Sequence, residues 1–164
     1  IYFLQILMLS LVGIGIGLLI GAVTPAIIAP GCVDLVDFPG WQQFPEQFSD
    51  RSFHAHNRLL SSATLNANER RKGARELASR AAENKAPTHI ISPITGVEEW
   101  DKPGEPAHEP ENHAAFVKEL ASAVQPPVGF AELDCHINDQ AFCDEALRVF
   151  DGWLKSGVVK SKSN

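Results

Sequence analysis

The sequence predicts an α/β domain built on a parallel sheet. Two observations carry that prediction. Short apolar runs bounded by proline or glycine alternate with longer stretches of helical periodicity. Residues able to do chemistry stand directly behind or beside those runs, in Ala29-Pro30-Gly31-Cys32-Val33-Asp34, His54-Ala55-His56-Asn57 and Asp134-Cys135-His136-Ile137-Asn138-Asp139. Loops that follow parallel strands share one edge of the sheet, so these residues are expected to converge there.

Residues 1–23 are almost wholly apolar, with Gln5 and Ser10 as the main exceptions, and no charge appears before Asp34. As a helix they span about 35 Å, enough to cross a bilayer. A membrane-spanning or signal-anchor helix is one expectation for them. A buried strand–helix pair and a stretch from a faulty gene prediction are the others. Gly17 and Gly21 have the spacing of close-packed membrane helices. Gly15-Ile16-Gly17 with Gly21 also has a weak likeness to a dinucleotide-binding turn. The chain starts at Ile1, which reads as a fragment.

The folded part is expected over residues 24–156, with 157–164 as a tail. Residues 26–29 lie between Pro25 and Pro30 and read as a buried strand. Residues 31–65 read as one long functional loop, because Trp41, Phe44, Phe48 and Phe53 make it too aromatic for a spacer. Asn66 caps a helix, with Glu69 as the reciprocal partner, and the helix runs to about residue 84. Residues 88–92 form the second strand, closed by Pro93. After a loop over 94–110, Pro110 opens a helix that continues to about residue 124. Residues 128–133 form the third strand. Asn138 or Asp139 then caps a last helix with Phe142, Leu147, Phe150 and Leu154 on its buried face. Three β–α units in a row imply a Rossmann-like parallel sheet with right-handed crossovers and flanking helices.

Composition narrows the function. With 14 basic and 20 acidic residues the net charge is −6, against a nucleic-acid binder that works by neutralising phosphates. Arg70-Arg71-Lys72 is the densest basic cluster and reads as a solvated helix face. Cys32, Cys135 and Cys143 are too few and odd in number for a disulfide framework. They suit a reducing compartment, so the folded domain is expected in the cytoplasm, or tethered to a membrane if residues 1–23 are a real helix.

Asp34 and Asp37 can bind a hydroxyl, a cation or a metal, or can cap a short helix. Gly31 is expected to allow a backbone angle or close approach that a β-carbon forbids. His54 and His56 point the same way in an extended segment and could bind a metal or shuttle protons; the alternative is that one packs on the aromatic loop and the other is solvated. His136, Asn138 and Asp139 sit where helix amides favour an anion. No CxxC or HExxH spacing is present, so no metal site is expected. Cys32 or Cys135 beside His136 is a nucleophile candidate. Neither a GxSxG elbow nor a P-loop occurs.

The sequence also resembles a known family. Ile27-Ile28-Ala29-Pro30-Gly31-Cys32-Val33-Asp34-Leu35-Val36-Asp37-Phe38, His54-Ala55-His56-Asn57-Arg58, Asn68-Glu69-Arg70, Ser92-Pro93-Ile94-Thr95-Gly96-Val97-Glu98, Asp101-Lys102-Pro103-Gly104 and His136-Ile137-Asn138-Asp139-Gln140-Ala141-Phe142 match it in order and spacing. Over about residues 24–154 the chain is similar to the C-terminal half of the Tm-one-like ATP-binding domain family, also called uncharacterised protein family 0261. The resemblance implies two Rossmann-like subdomains with a nucleotide site between them, of which this chain supplies the second. It nominates Gly31, Asp34, His54, His56, Asn57, Thr95, Gly96, His136, Asn138 and Asp139 as ligand-binding residues. ATP is then expected only with the N-terminal subdomain and no cofactor for this chain alone, and the expected partner is that subdomain or a second copy of the chain. The family has no settled reaction. The alternatives are a membrane-tethered interaction domain and a small metal- or histidine-dependent hydrolase using Asp34, His54, His56 and His136.

Overall fold

A computed structural model describes residues 24–160. In chain order the elements are β1 (Ala26–Ile28), β2 (Leu35–Pro39), β3 (Phe53–His54), β4 (Leu60–Thr64), α1 (Ala67–Glu83), β5 (Thr88–Pro93), α2 (Pro110–Ala123), β6 (Gly129–Leu133) and α3 (Gln140–Lys155). Strands β1, β5 and β6 form the expected parallel sheet in sequential order, with Ile28 opposite Ile90 and Ile90 opposite Phe130.

Ile90 and Ile91 are adjacent on the central strand, so their side chains leave opposite faces. Both are fully buried. Ile90 packs with Ala74, Ala78 and Ala81 of α1 and with Phe116, Val117 and Leu120 of α2. Ile91 packs with Cys135 and with Phe142 of α3. A central parallel strand covered on both faces reads as a continuous apolar run, which is why Ile90-Ile91 was visible in the sequence.

The predicted α1 start is present as a capping box. Asn66 Oδ1 accepts from the Asn68 and Glu69 amides at 2.9 and 3.0 Å, and Glu69 Oε2 accepts from the Asn66 amide at 2.8 Å. Pro110 opens α2 as expected.

Four expectations need correction. Residues 31–65 are not one loop. They carry a second, antiparallel sheet in the order β2-β4-β3, with Asp37 opposite Ser62 and Phe53 opposite Ala63. Its aromatic side is a cluster of Phe38, Phe44, Phe48 and Phe53, with ring centroids 5.1 Å apart for Phe38–Phe48 and for Phe44–Phe53. Arg70 is not on a solvated face: it is 1% exposed. Asp139 occupies the N-cap position of α3, but its carboxylate makes no bond to that helix and instead accepts the His136 amide at 2.8 Å. The buried residues of α3 are Phe142 and Val149, while Leu147 and Phe150 face solvent.

Residues 1–23, with the glycine spacings and the membrane expectation that fall on them, lie outside the described residues. Among the described residues no helix is long and apolar enough to cross a membrane.

Candidate functional site

The loops after β1, β5 and β6 meet at the carboxyl edge of the parallel sheet, and main-chain bonds join them. The Thr95 amide donates to Cys135 O at 3.2 Å, the Ile137 amide to Gly96 O at 3.0 Å, and the Cys32 amide to Val97 O at 3.2 Å. Gly96 makes this join feasible. Its φ is +154°, and a β-carbon there would collide with Asp101 Oδ1 and the His136 ring. The expectation for Gly31 is corrected: a β-carbon at Gly31 would make only ordinary contacts, and the left-handed residue of that loop is Cys32, at φ 55°.

Behind the join lies a buried group of carboxylates. Asp34, Glu98 and Asp101 are 1%, 5% and 5% exposed. Their ligand oxygens lie within 4.8 Å of one another. Asp101 has a partner at each oxygen: Oδ2 accepts the Val97 amide at 2.5 Å and Oδ1 accepts His136 Nε2–H at 2.9 Å. Glu98 Oε2 accepts the Trp100 amide at 2.7 Å, but its Oε1 and both oxygens of Asp34 are buried with no hydrogen-bond donor. Burial pushes the Asp34 carboxyl up to about 6, against the pull of the Arg70 guanidinium. Burial likewise pushes Glu98 up to about 7, and its acidic neighbours Asp34 and Asp101 add to the effect.

His136 is held at both ring nitrogens. Nδ1 accepts the Asn138 amide at 3.1 Å, which places the proton on Nε2, shared between Asp101 Oδ1 and Glu98 O at 2.9 Å each. The ring is thereby fixed in tautomer and orientation.

Arg70 anchors the other side. Nε donates to Leu65 O and Nη2 to Glu109 Oε2, both at 2.7 Å, while Nη1 stands 3.5 Å from Asp34 Oδ2. Glu109 also accepts from Thr64 at 2.7 Å, Asn112 at 2.9 Å and Ser52 at 3.2 Å. Burial alone would raise the Glu109 pKa. Hydrogen bonds from Asn112, Thr64 and Ser52, together with the Arg70 charge, outweigh it and hold the carboxylate below its ordinary range.

In front of these groups opens a cavity of about 670 Å³. Thr95, Gly96, Asp101, His108, His113 and His136 are among its lining residues, with Arg70, Lys102, Glu109 and Asp139. His108 bonds the Asp101 carbonyl through Nδ1 at 2.6 Å. His113 bonds the Pro93 carbonyl through Nε2 at 3.0 Å, and its Nδ1 is buried without a partner. Burial lowers the His113 pKa, so the ring is kept neutral.

Of the nominated residues, Thr95, Gly96, His136 and Asp139 line the cavity, and Asp34 lies among the carboxylates behind Asp101. Gly31, His54, His56, Asn57 and Asn138 do not line it. His54 stacks on Trp100 at 4.1 Å between ring centroids, and His56 meets the same indole edge-on at 5.0 Å. Asn57 closes the β3–β4 turn, its Oδ1 accepting the Leu59 and Leu60 amides at 2.7 and 3.0 Å. Asn138 donates to Glu99 at 3.0 Å. The thiols of Cys32 and Cys135 are pushed up, first by burial and then by nearby carboxylates, which opposes a nucleophilic role for either. Sequence reasoning missed Arg70, Glu98, Asp101, His108, Glu109 and His113. Glu98 and Asp101 fall in the 94–110 loop, where no periodic element makes their register readable.

The fold and its joined loop edge define a Rossmann-like α/β subdomain. Residues 18–154 match the sequence pattern of the C-terminal domain of uncharacterised protein family UPF0261, and the chain belongs to that family. It is 50% identical over 135 residues to a UPF0261 protein of Brucella melitensis, covering 82% of this chain and 32% of that protein. A UPF0261 protein of Clostridium tetani is 27% identical over 119 residues, covering 72% and 30%. The ToMV resistance protein Tm-1(GCR237) of Solanum lycopersicum is 26% identical over 128 residues, covering 77% and 17%. The chain therefore spans about a third of the length of the bacterial relatives it matches, and less of the tomato protein.

Proposed function

We propose that this chain supplies one wall of a nucleotide site whose other wall is the N-terminal part of the longer relatives. The observation that carries this reading is the cavity of about 670 Å³ at the carboxyl edge of the parallel sheet, where α/β folds bind ligands. Its volume falls in the range of about 300–1,000 Å³ typical of small-molecule sites. Its lining mixes a neutral imidazole, main chain near Gly96 and a hydroxyl at Thr95, which suit a base or sugar as well as a phosphate. The resemblance to an ATP-binding family makes ATP the ligand to test.

The experiment is a calorimetric ATP titration of the full chain, alone and joined to the N-terminal region of the Brucella relative. The expected result is no saturable binding by the chain alone below about 1 mM, and micromolar binding by the joined protein. Micromolar binding by the chain alone, or none by the joined protein, overturns the reading.

A further inference from the structure

We propose that Asp34, Glu98 and Asp101 form a site for a divalent cation that takes oxygen ligands, of about the size of Ca²⁺. The site is made by two loops that the parallel sheet brings together, one after β1 and one after β5. Two independent features point to a cation. The first is the donor set. Three carboxylates with oxygens within 4.8 Å of one another offer hard ligands and no nitrogen or sulfur. Three carboxylates held by the fold suit Ca²⁺, which takes several carboxylate oxygens in flexible geometry, better than Mg²⁺, which keeps its waters and is bound through one or two carboxylates.

The second feature is the unmet hydrogen-bonding capacity. Both oxygens of Asp34 and Oε1 of Glu98 are sealed from solvent and make no hydrogen bond, in residues that are at least nine-tenths buried. Buried carboxylate oxygens are costly unless paired or bound to a metal. The guanidinium of Arg70 does not fill this role. It stands 3.5 Å from Asp34 without a hydrogen bond and is already committed to Glu109 and Leu65. His136 adds no positive charge, because Nδ1 accepts the Asn138 amide. Of the three carboxylates only Asp34 stands near the guanidinium, which it shares with Glu109, and a divalent ion would offset the charge left over. Asp101 also lines the cavity, so a bound ion would have one face toward any ligand there. The carboxylates alone carry this proposal, and it can fail or hold independently of ATP binding.

The test is a calorimetric titration of the full chain with Ca²⁺ at about pH 8, with Mg²⁺ as comparator, followed by hydrogen exchange on the ion-saturated protein. The expected result is one Ca²⁺ per chain, bound more tightly than Mg²⁺, with added amide protection at residues 32–35 and 97–101. Asp34→Asn and Glu98→Gln each weaken Ca²⁺ by about tenfold or more, while Glu83→Gln, on the far end of α1, leaves it unchanged. Absence of saturable Ca²⁺ binding up to about 1 mM overturns the proposal. So does protection spread evenly over the acidic surface, or equal weakening by Glu83→Gln. Tighter Mg²⁺ than Ca²⁺ binding overturns the assignment of ion size. Where one substitution prevents folding, the other and the exchange map still decide.

Discussion

At the scale of single residues, glycines that look alike in sequence differ in consequence. Gly96 sits at φ +154° against Asp101 and His136, so Gly96→Ala forces either the carboxylate or the imidazole out of place. Left-handed strain and overpacking together set the expected loss at about 2–4 kcal/mol, measured by urea unfolding. Gly31→Ala, on the facing loop, meets only ordinary contacts and is expected within about 0.5 kcal/mol of the parent. Equal losses at the two positions would show that the Gly96 join is not under the constraint described. Asp34 makes a second residue-scale prediction. In the metal-free chain its carboxyl is raised to about 6 by burial, and unfolding returns it to about 4. The folded state thus holds the extra proton, and its contribution is complete below about pH 4 and is lost as the pH rises through about 6. Asp34→Asn mimics the protonated form, and Arg70 keeps Leu65 and Glu109 as partners. The variant is expected to match the parent near pH 4 and to exceed it by about 1–3 kcal/mol near pH 8, read as a rise in Tm of several degrees. A difference that is flat with pH would remove the burial argument for Asp34.

At the scale of elements, what could be read from the sequence followed how local the determinant was. The capping box of α1 needs only Asn66 and Glu69, and it was legible in full. Asn66→Ala is expected to cost about 1 kcal/mol in thermal unfolding, and a change below about 0.3 kcal/mol would mean that the cap is redundant with packing. The three parallel strands were legible because each is a short apolar run between breakers. The antiparallel sheet was not. Strand β4 reads Leu-Ser-Ser-Ala-Thr, with little apolar alternation, and it is held by a cross-strand bond from Ser62 to Asp37 at 2.6 Å and by the aromatic cluster under β2. Helix α3 shows the same limit. Periodicity found an amphipathic helix, but Val149 is buried and Leu147 exposed, because small shifts in helix rotation are set by packing. The candidate site was half legible for a related reason. Asp34 and His136 follow strands directly, whereas Glu98 and Asp101 lie in a loop whose path is set by the pairing of Gly96 with His136 across the strand ends.

At the scale of the whole molecule, the antiparallel sheet is an excursion tied to the parallel core: Arg51 reaches Glu69 of α1 at 2.8 Å, His54 stacks on Trp100, and Glu109 is the tie with the most donors. Its carboxylate collects Ser52 and Thr64 from the excursion, Arg70 from α1 and Asn112 from α2. Four donors on one half-buried carboxylate make it a junction between the layers. Removing it leaves Arg70 buried beside Asp34 with one fewer anion and leaves Thr64 without an acceptor, a loss of about 2–4 kcal/mol for a broken buried network. The location of the damage is the stronger prediction. Glu109→Ala is expected to lower amide protection across residues 52–64 and to open 40–59 to limited proteolysis, while the amides of β5, which pair within the parallel sheet, keep parental protection. Glu109→Gln keeps an acceptor oxygen for Thr64 and is expected to restore most of the protection at 52–64, but not the pairing with Arg70. Uniform loss across β4 and β5 in Glu109→Ala would show a single cooperative unit and would rule out Glu109 as the tie between two separable layers.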